Sequence, residues 1–469
     1  MRMRSGRGRG WRLAAVLTVS LGLTPATAIA AGTAGALDSG FGSGGVVVTN
    51  DGSGWPAAAL QSSGKIVVGG TEQVPTSDGG SGTGWLVQRL DTDGSLDTGF
   101  GSSGEVRLFG PTAELRATDS LRALAVDGSD RILAVGSGSF EVTTGKGKRQ
   151  TTSLVRRFTV VRLTSGGALD SSFGNGGVVV IDLSDVTGGS GRGESVHVLP
   201  SGDILVAGRA FDVAGQSSGG GKGKKGGGSS TSSDAIALVK LTASGALDTS
   251  FGAGGITIHD ASTGDDEPWP GALGVQSTGR IVVGSVARDI DEQWVLTAYD
   301  SDGTVDETFG RVVVAHAYLR GFAIDASDRI LGCGYAVASA GDYGFVLTRF
   351  TSDGATDTGF GSGGTVSLAL SENSEGGPVL IESDGDIVAG LNIIGTNGEW
   401  RAQPIRVDSD GVLDSGFGTG GFGDVLEGSG EFYGLFAPGL IDPNGDIVLC
   451  GARQDSTSAD WLVARYCGS

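Results

Sequence analysis

Apolar runs of 4 to 6 residues alternate with clusters of Gly, Asp and Ser from Val46 to the end of the chain. The runs are rich in Val, Ile and Ala. They are too short for helices and bounded by turn formers, which predicts β-strands. Four kinds of run follow one another in a fixed order. The first is Val46-Val47-Val48, and the second is Ala57-Ala58-Ala59-Leu60. A polar turn at Ser63-Gly64 leads to the third, Lys65-Ile66-Val67-Val68-Gly69. A variable loop precedes the fourth, Trp85-Leu86-Val87-Gln88-Arg89-Leu90. The third run is continuously apolar and does not alternate, the pattern of a strand buried on both faces.

A short element marks each unit. Its copies are Leu37-Asp38…Phe41-Gly42, Leu96-Asp97…Phe100-Gly101, Leu169-Asp170…Phe173-Gly174, Leu247-Asp248…Phe251-Gly252, Val305-Asp306…Phe309-Gly310, Thr356-Asp357…Phe360-Gly361 and Leu413-Asp414…Phe417-Gly418. Successive Phe residues are 59, 73, 78, 58, 51 and 57 positions apart. Seven units of four strands predict an all-β fold, a seven-bladed β-propeller with four-stranded blades. The chain starts on a first-run strand and ends on a fourth-run strand, Trp461 to Tyr466. The N-terminal strand at Val46–Val48 is therefore expected to complete the last blade and hide the edges of the ring. The marker element is expected to be a joint. Its Leu and Phe would pin the link between blades, its Asp would take local backbone donors, and its Gly would allow the sharp turn.

Glycine, 88 of 469 residues, fits this density of turns. Residues 1–30 depart from the pattern. Arg2, Arg4, Arg7, Arg9 and Arg12 precede a short apolar stretch at 13–23, Pro25, and the small residues Ala28-Ile29-Ala30. That is the pattern of a cleaved signal peptide, with residues 31–469 left as one propeller domain. No later run has the length of a membrane span. An exported protein is expected: extracellular, cell-surface or periplasmic. Two units are enlarged by insertions between the third and fourth runs, 141–152 and 212–233, both expected to be mobile surface loops. The first carries Lys146, Lys148 and Arg149, and the second is rich in Gly, Ser and Lys.

The phrase Leu-Asp-x-x-Phe-Gly-x-x-Gly, with Gly64-Lys65-Ile66-Val67-Val68-Gly69-Gly70 and Arg89-Leu90-Asp91-Thr92-Asp93-Gly94, resembles the delta-60 repeat family. The resemblance spans 37–466. It implies a bacterial β-propeller fold and export, and brings no family active site with it.

Charge narrows the partners. The net charge is −20, and loss of the five arginines of residues 1–30 would take it to −25. Nucleic acid and anionic membrane surfaces are disfavoured as partners. The turn Asp91-Thr92-Asp93-Gly94-Ser95-Leu96-Asp97 and its copies Asp300/Asp302/Asp306 and Asp408/Asp410/Asp414 suggest calcium. The first ligand position, however, holds Arg89, Ala298 or Arg406. Capped turns are the expected reading. His197, His259 and His316 have no ligand spacing. Cys333 and Cys450 occupy equivalent places in third runs and are expected in the core. Cys467 should lie near Asn444 or Gly445, too far from Cys450 to bridge it. The acidic stretch Asp265-Asp266-Glu267 before Trp269 is expected to be a solvated loop. No catalytic, cofactor-binding or metal-binding residue is assigned, and no cofactor is expected. The expected function is non-catalytic: a monomeric binding or scaffold module for a protein or glycan. The alternatives are an enzyme with its site at the channel mouth and a calcium-stabilised structural propeller.

Overall fold

The computed structural model describes residues 32–49, 53–75, 81–108, 120–144, 150–183, 190–213, 233–259, 269–287, 293–315, 317–337, 342–396, 398–427, 432–435, 438–454 and 459–468. The expected signal peptide, residues 214–232 of the second insertion, Asp265–Glu267 and His316 lie outside the described residues. The described strands form seven sheets. Among the described residues no helix is long and apolar enough to cross a membrane.

The first strand, β1 (Val46–Thr49), stands apart from the blade that follows it. Blade 1 is β2 (Ser53–Leu60), β3 (Ile66–Pro75), β4 (Ser81–Leu90) and β5 (Glu105–Leu108). Blade 2 is β6 (Ser120–Val126), β7 (Ile132–Thr144), β8 (Thr151–Leu163) and β9 (Val178–Ile181). Blade 3 is β10 (Gly191–Val198), β11 (Ile204–Val213), β12 (Ser233–Leu241) and β13 (Ile256–His259). Blade 4 is β14 (Trp269–Val275), β15 (Ile281–Ala287), β16 (Gln293–Tyr299) and β17 (Arg311–Ala315). Blade 5 is β18 (Ala317–Ile324), β19 (Ile330–Val337), β20 (Tyr343–Phe350) and β21 (Thr365–Ser367). Blade 6 is β22 (Asn373–Ile381), β23 (Ile387–Ile394) and β24 (Trp400–Val407). Blade 7 contains β25 (Phe432–Gly434), β26 (Gly439–Ile441), β27 (Ile447–Gln454) and β28 (Ala459–Tyr466), and β1 pairs antiparallel with β28.

This is the offset frame. The register Val46↔Ala464, Val47↔Val463 and Val48↔Leu462 closes the ring. The first strands of the blades pack in a circuit, β2–β6–β10–β14–β18–β22–β26 and back to β2, around the axis. The next strand outward is the core of each blade. In β15 all seven residues are buried, as the unbroken apolar run requires.

Two blades depart from four regular strands, and proline accounts for both. Pro404 lies in β24 and has no N–H for the outer neighbour. That neighbour survives only as the bridges Ile405↔Phe422 and Ala402↔Leu426, whose registers differ by one residue. In blade 7 the inner strand is split into β25 and β26 on either side of a segment that ends at Pro438.

The first insertion, expected as a mobile loop at 141–152, begins and ends in strand. β7 and β8 pair Glu141↔Leu154, Val142↔Ser153, Thr143↔Thr152 and Thr144↔Thr151, while residues 145–149, with Lys146, Lys148 and Arg149, lie outside the described residues. The segment is rich in Thr and Val, which suit a pleated strand. The Thr143 and Thr152 hydroxyls lie 3.0 Å apart across the pair.

The marker element is the joint between blades, with one correction and one addition. All seven Phe rings are buried. Three of the Leu residues do not enter the gap, Leu96, Leu169 and Leu247 being 39%, 46% and 37% exposed, whereas Leu37 and Leu413 are half-buried against the core. Each lies over a glycine of its own connector; a Cβ on Gly104 would stand 2.5 Å from Leu96 Cγ. The Asp accepts the backbone N–H two residues on, as Asp97 does from Gly99 at 2.9 Å. The Gly N–H crosses to the next blade: Gly101 donates to Gly166 O at 2.9 Å and Gly174 to Ser244 O at 2.8 Å. Gly101 has φ +52°, and a Cβ there would meet Glu105 O at 2.2 Å, so only glycine fits.

The addition is a cation eight residues before the Asp. Arg162 Nε donates to Asp170 Oδ2 at 2.8 Å, and its guanidinium lies 4.4 Å from the centre of the Phe173 ring. Its Nη1 donates to Ala243 O of the next blade. Arg89, Arg349, Arg406 and Arg465 repeat the arrangement with Asp97, Asp357, Asp414 and Asp38. Lys240 takes the same place beside Asp248 at 2.9 Å. Blade 4 has Ala298 there, and Arg280, just before β15, reaches Asp306 instead at 2.7 Å. Arg280→Ala should cost about 1.5–3 kcal/mol, the range for a hydrogen bond to a charged group. Adding Ala298→Arg should restore most of it, as read by urea midpoints; no recovery would contradict the clamp.

Two of these carboxyls sit low. Asp97 is held down to about 2 by Lys65, the Gly99 N–H and Arg89. Asp248 is held down to about 2 by the Ser250 hydroxyl and Lys240. Folded values below the ordinary 3.8 stabilise the fold above about pH 4, and that contribution disappears as pH falls toward 2. The melting temperature is therefore expected to drop across this window, less so in Asp97→Asn. A flat profile would contradict the pairing.

Candidate functional site

Strand neighbours alternate in direction, so the tight turns and the marker joints share one rim. The loops between the second and third strands of the blades share the other rim. The joint rim is uniform, and chemistry diverges on the inner strands. Bulges interrupt β6 between Leu121 and Ala123, β10 between Gly193 and Ser195, β14 between Pro270 and Ala272, and β18 between Leu319 and Gly321. The extra residues are Arg122, Glu194, Gly271 and Arg320. Each lies four positions before the end of its strand. Irregularities also fall between Ser53 and Ala57 in β2 and between Gly376 and Val379 in β22. A bulge re-aims a side chain. Arg122, Glu194 and Arg320 line a central cavity of about 400 Å³, to which all seven blades contribute.

The charges form two groups. Arg192 holds Glu194 Oε1 with Nε at 2.6 Å and Nη2 at 2.5 Å. Arg122 Nε stands 3.8 Å from the other oxygen, Oε2. Burial, reinforced by Arg192 and Arg156, lowers the Arg122 pKa. Behind them, the Trp269 ring receives Arg192 at 5.5 Å and Arg209 at 5.6 Å. On blade 5, Arg320 lies 4.4 Å over the Tyr318 ring and 3.4 Å from Glu375 of blade 6. Tyr318 stacks on Tyr335 at 5.5 Å and 7°. Tyr343 adjoins Tyr335 at 5.1 Å.

The other residues singled out in the sequence lie elsewhere. Asp93 Oδ1 accepts from Ser95 N at 2.9 Å, and Asp302 Oδ1 from Thr304 N at 3.0 Å. Asp408 Oδ1 accepts from Val412 N at 2.9 Å. With Asp97, Asp306 and Asp414 paired to cations, these turns satisfy themselves. Melting in excess chelator is expected at the same temperature as in calcium; a drop would revive the calcium reading. Among the described residues, one acidic group has ligand atoms within 4.8 Å of one another: Glu382, Asp384 and Asp386. Arg406 already stands 3.3 Å from Glu382 and 4.0 Å from Asp386.

His197 is in β10 and His259 in β13, the inner and outer strands of one blade, and His259 Nδ1 is 2.9 Å from Tyr299 Oη. Cys333 and Cys450 are buried and all three cysteines are free. Burial pushes the Cys450 thiol up to about 12. Gly468 N, next to Cys467, donates to Asp446, the neighbour of Gly445. A further cavity of about 460 Å³ lies between the outer parts of blades 1 and 2, lined by apolar residues such as Trp85, Leu108 and Val180.

Sequence reasoning missed the bulge residues. The signal was a charged residue within the second run of three units, four places before its end. It was also present in the Arg or Lys eight residues before most marker Asp residues.

Three segments match a family model described as "Domain of unknown function (DUF5122) beta-propeller". They are residues 61–100, 226–251 and 326–360. No curated protein matches. Among solved structures, polysaccharide lyase Uly1 is similar at 10% identity and TM-score 0.44, over 88% of this chain and 89% of that one. The β-propeller domain of the Trilobed protease from Pyrococcus furiosus is similar at 9% and 0.41, over 89% and 96%. A Trypanosoma rangeli sialidase is similar at 10% and 0.43, over 90% and 59%. At these values the likenesses bear no argument about what this chain does.

Proposed function

We propose that this chain is an exported, non-catalytic binding or scaffold module that takes a protein or glycan partner at the channel and the loop-bearing rim. The bulge level carries the reading: one backbone feature recurs in blades 2 to 5, and its extra residues differ, being Arg122, Glu194, Gly271 and Arg320. Arg122 and Arg320 are exposed in the channel and Glu194 is held by Arg192, so this level presents charge to the channel and not to the core of the blades. The likeness of the units to delta-60 repeats supports the same view, a repeat that carries fold without a shared active site. The chain acts as a monomer outside the cytoplasm, away from nucleic acid.

The test is a glycan array and a pull-down with the purified protein, repeated with Arg320→Ala. Capture that the variant loses while melting normally supports the proposal. No partner in either format, or capture indifferent to the channel, would sink it.

A further inference from the structure

We propose that the central channel binds a carboxylate-bearing sugar, with Arg122 as the group that takes the carboxylate. The inference rests on the binding reading above and names the ligand class of that site.

Arg122 and Arg192 share the Glu194 carboxylate, and Arg156 lies within electrostatic reach of Arg122. Arg192 takes that carboxylate with two nitrogens. Arg122, at 3.8 Å, is outside hydrogen-bonding distance of it. The Arg122 guanidinium, 38% exposed, therefore has only a long ion pair with Glu194 and no hydrogen bond to it. A guanidinium pairs a carboxylate through two parallel N–H···O bonds, which fixes orientation as well as energy. A chain of net charge −20 would otherwise repel anions. A cation set in the channel offsets that repulsion locally.

The far side of the ring supplies different chemistry. Arg320 is balanced by Glu375 and lies on Tyr318, which stacks on Tyr335. Tyr318 and Tyr335 back Arg320, and the groups that line the cavity on this wall are the paired Arg320 guanidinium and the Phe322 ring, without surplus charge. The two walls suit a ligand with an anionic end and a neutral polyhydroxyl body. The volume of about 400 Å³ lies in the range of small-ligand sites.

Titration calorimetry of the purified full chain at low salt tests this, with glucuronate as probe and glucose and acetate as comparisons. Glucuronate is expected to bind, glucose to give no heat, and acetate to bind far more weakly. Arg122→Ala and Arg122→Gln should each weaken glucuronate by roughly tenfold or more. Glu194→Gln should tighten it several-fold by removing the competing carboxylate, a gain that a merely structural role does not predict. Silence of the folded protein toward glucuronate overturns the inference. So does equal binding of glucose, equal binding of acetate, or indifference to both charge changes. If glucuronate fails while a protein or a neutral glycan is captured in an Arg320-dependent way, this inference falls and the binding reading stands. If nothing is captured at all, both fall.

Discussion

Deleting residues 1–49 is expected to leave a chain that aggregates or pairs with other copies rather than a weakened monomer. The deletion removes β1 and exposes β28 as an unpaired edge. It also removes Phe41, which is fully buried, at about 3–5 kcal/mol for a lost aromatic core residue. Asp38 goes with it, and Arg465, which binds Asp38 through Nε at 2.8 Å, is left with the more distant Asp442 carboxylate at 3.8 Å and the Thr92 carbonyl, at a side-chain exposure of 10%. Losing the closer of its two carboxylates costs about 1.5–3 kcal/mol more, the range for a hydrogen bond to a charged group. The loss falls at the seam, where blades 6, 7 and 1 meet. There Gly42 N donates to Asp93 O at 2.7 Å, and Gly418 N to Ala34 O at 2.8 Å. Gel filtration and urea unfolding read the outcome. A monodisperse monomer with the parent midpoint would contradict it.

Arg162→Ala is expected to be the most damaging single change in the joints. Arg162 is 2% exposed, the deepest of the clamp arginines, and joins Asp170, Phe173 and the Ala243 carbonyl of the next blade. Removing it leaves the Ala243 carbonyl without this donor and Asp170 with the more distant Arg131 at 3.6 Å and the Ser172 donors, for about 2–3 kcal/mol. Arg162→Lys should recover only part, because an ammonium lacks the planar fork that serves ring, carboxylate and carbonyl at once. Lys240→Ala, whose ammonium is more exposed, should cost about 1 kcal/mol or less. Equal losses at 162 and 240 would mean that the fork does not matter.

These two cases show what the sequence could and could not convey. The buried third runs were legible because burial on both faces demands unbroken apolarity, as in Ile281–Ala287. The offset closure was legible because the chain starts and stops on different strands of the repeat. The marker Phe was legible as a wedge, but Leu96 was not legible as an exposed cover. A hydrophobic residue at a turn looks the same whether it enters a gap or lies over a glycine. The strand character of Thr151 and Thr152 was hidden behind neighbouring Lys and Gly. The bulges were invisible for a deeper reason. A bulge shifts register by one residue, and only pairing reveals which residue is the extra one. Arg122 and Arg320 therefore looked like polar interruptions of an apolar run, although they face the channel.

The closed ring underlies both the joint and the channel, and one cross-link tests it. In a chain carrying Cys333→Ala, Cys450→Ala and Cys467→Ser, cysteines are placed at Val46 and Ala464, which face each other across β1 and β28. Opposed strand positions fall within disulfide reach. Oxidation followed by peptide mapping should give an intramolecular link between 46 and 464 in a monomer that melts at or above the parent temperature. A link found only between chains, or none while both thiols remain reactive, would show that the N-terminal strand does not close the last blade.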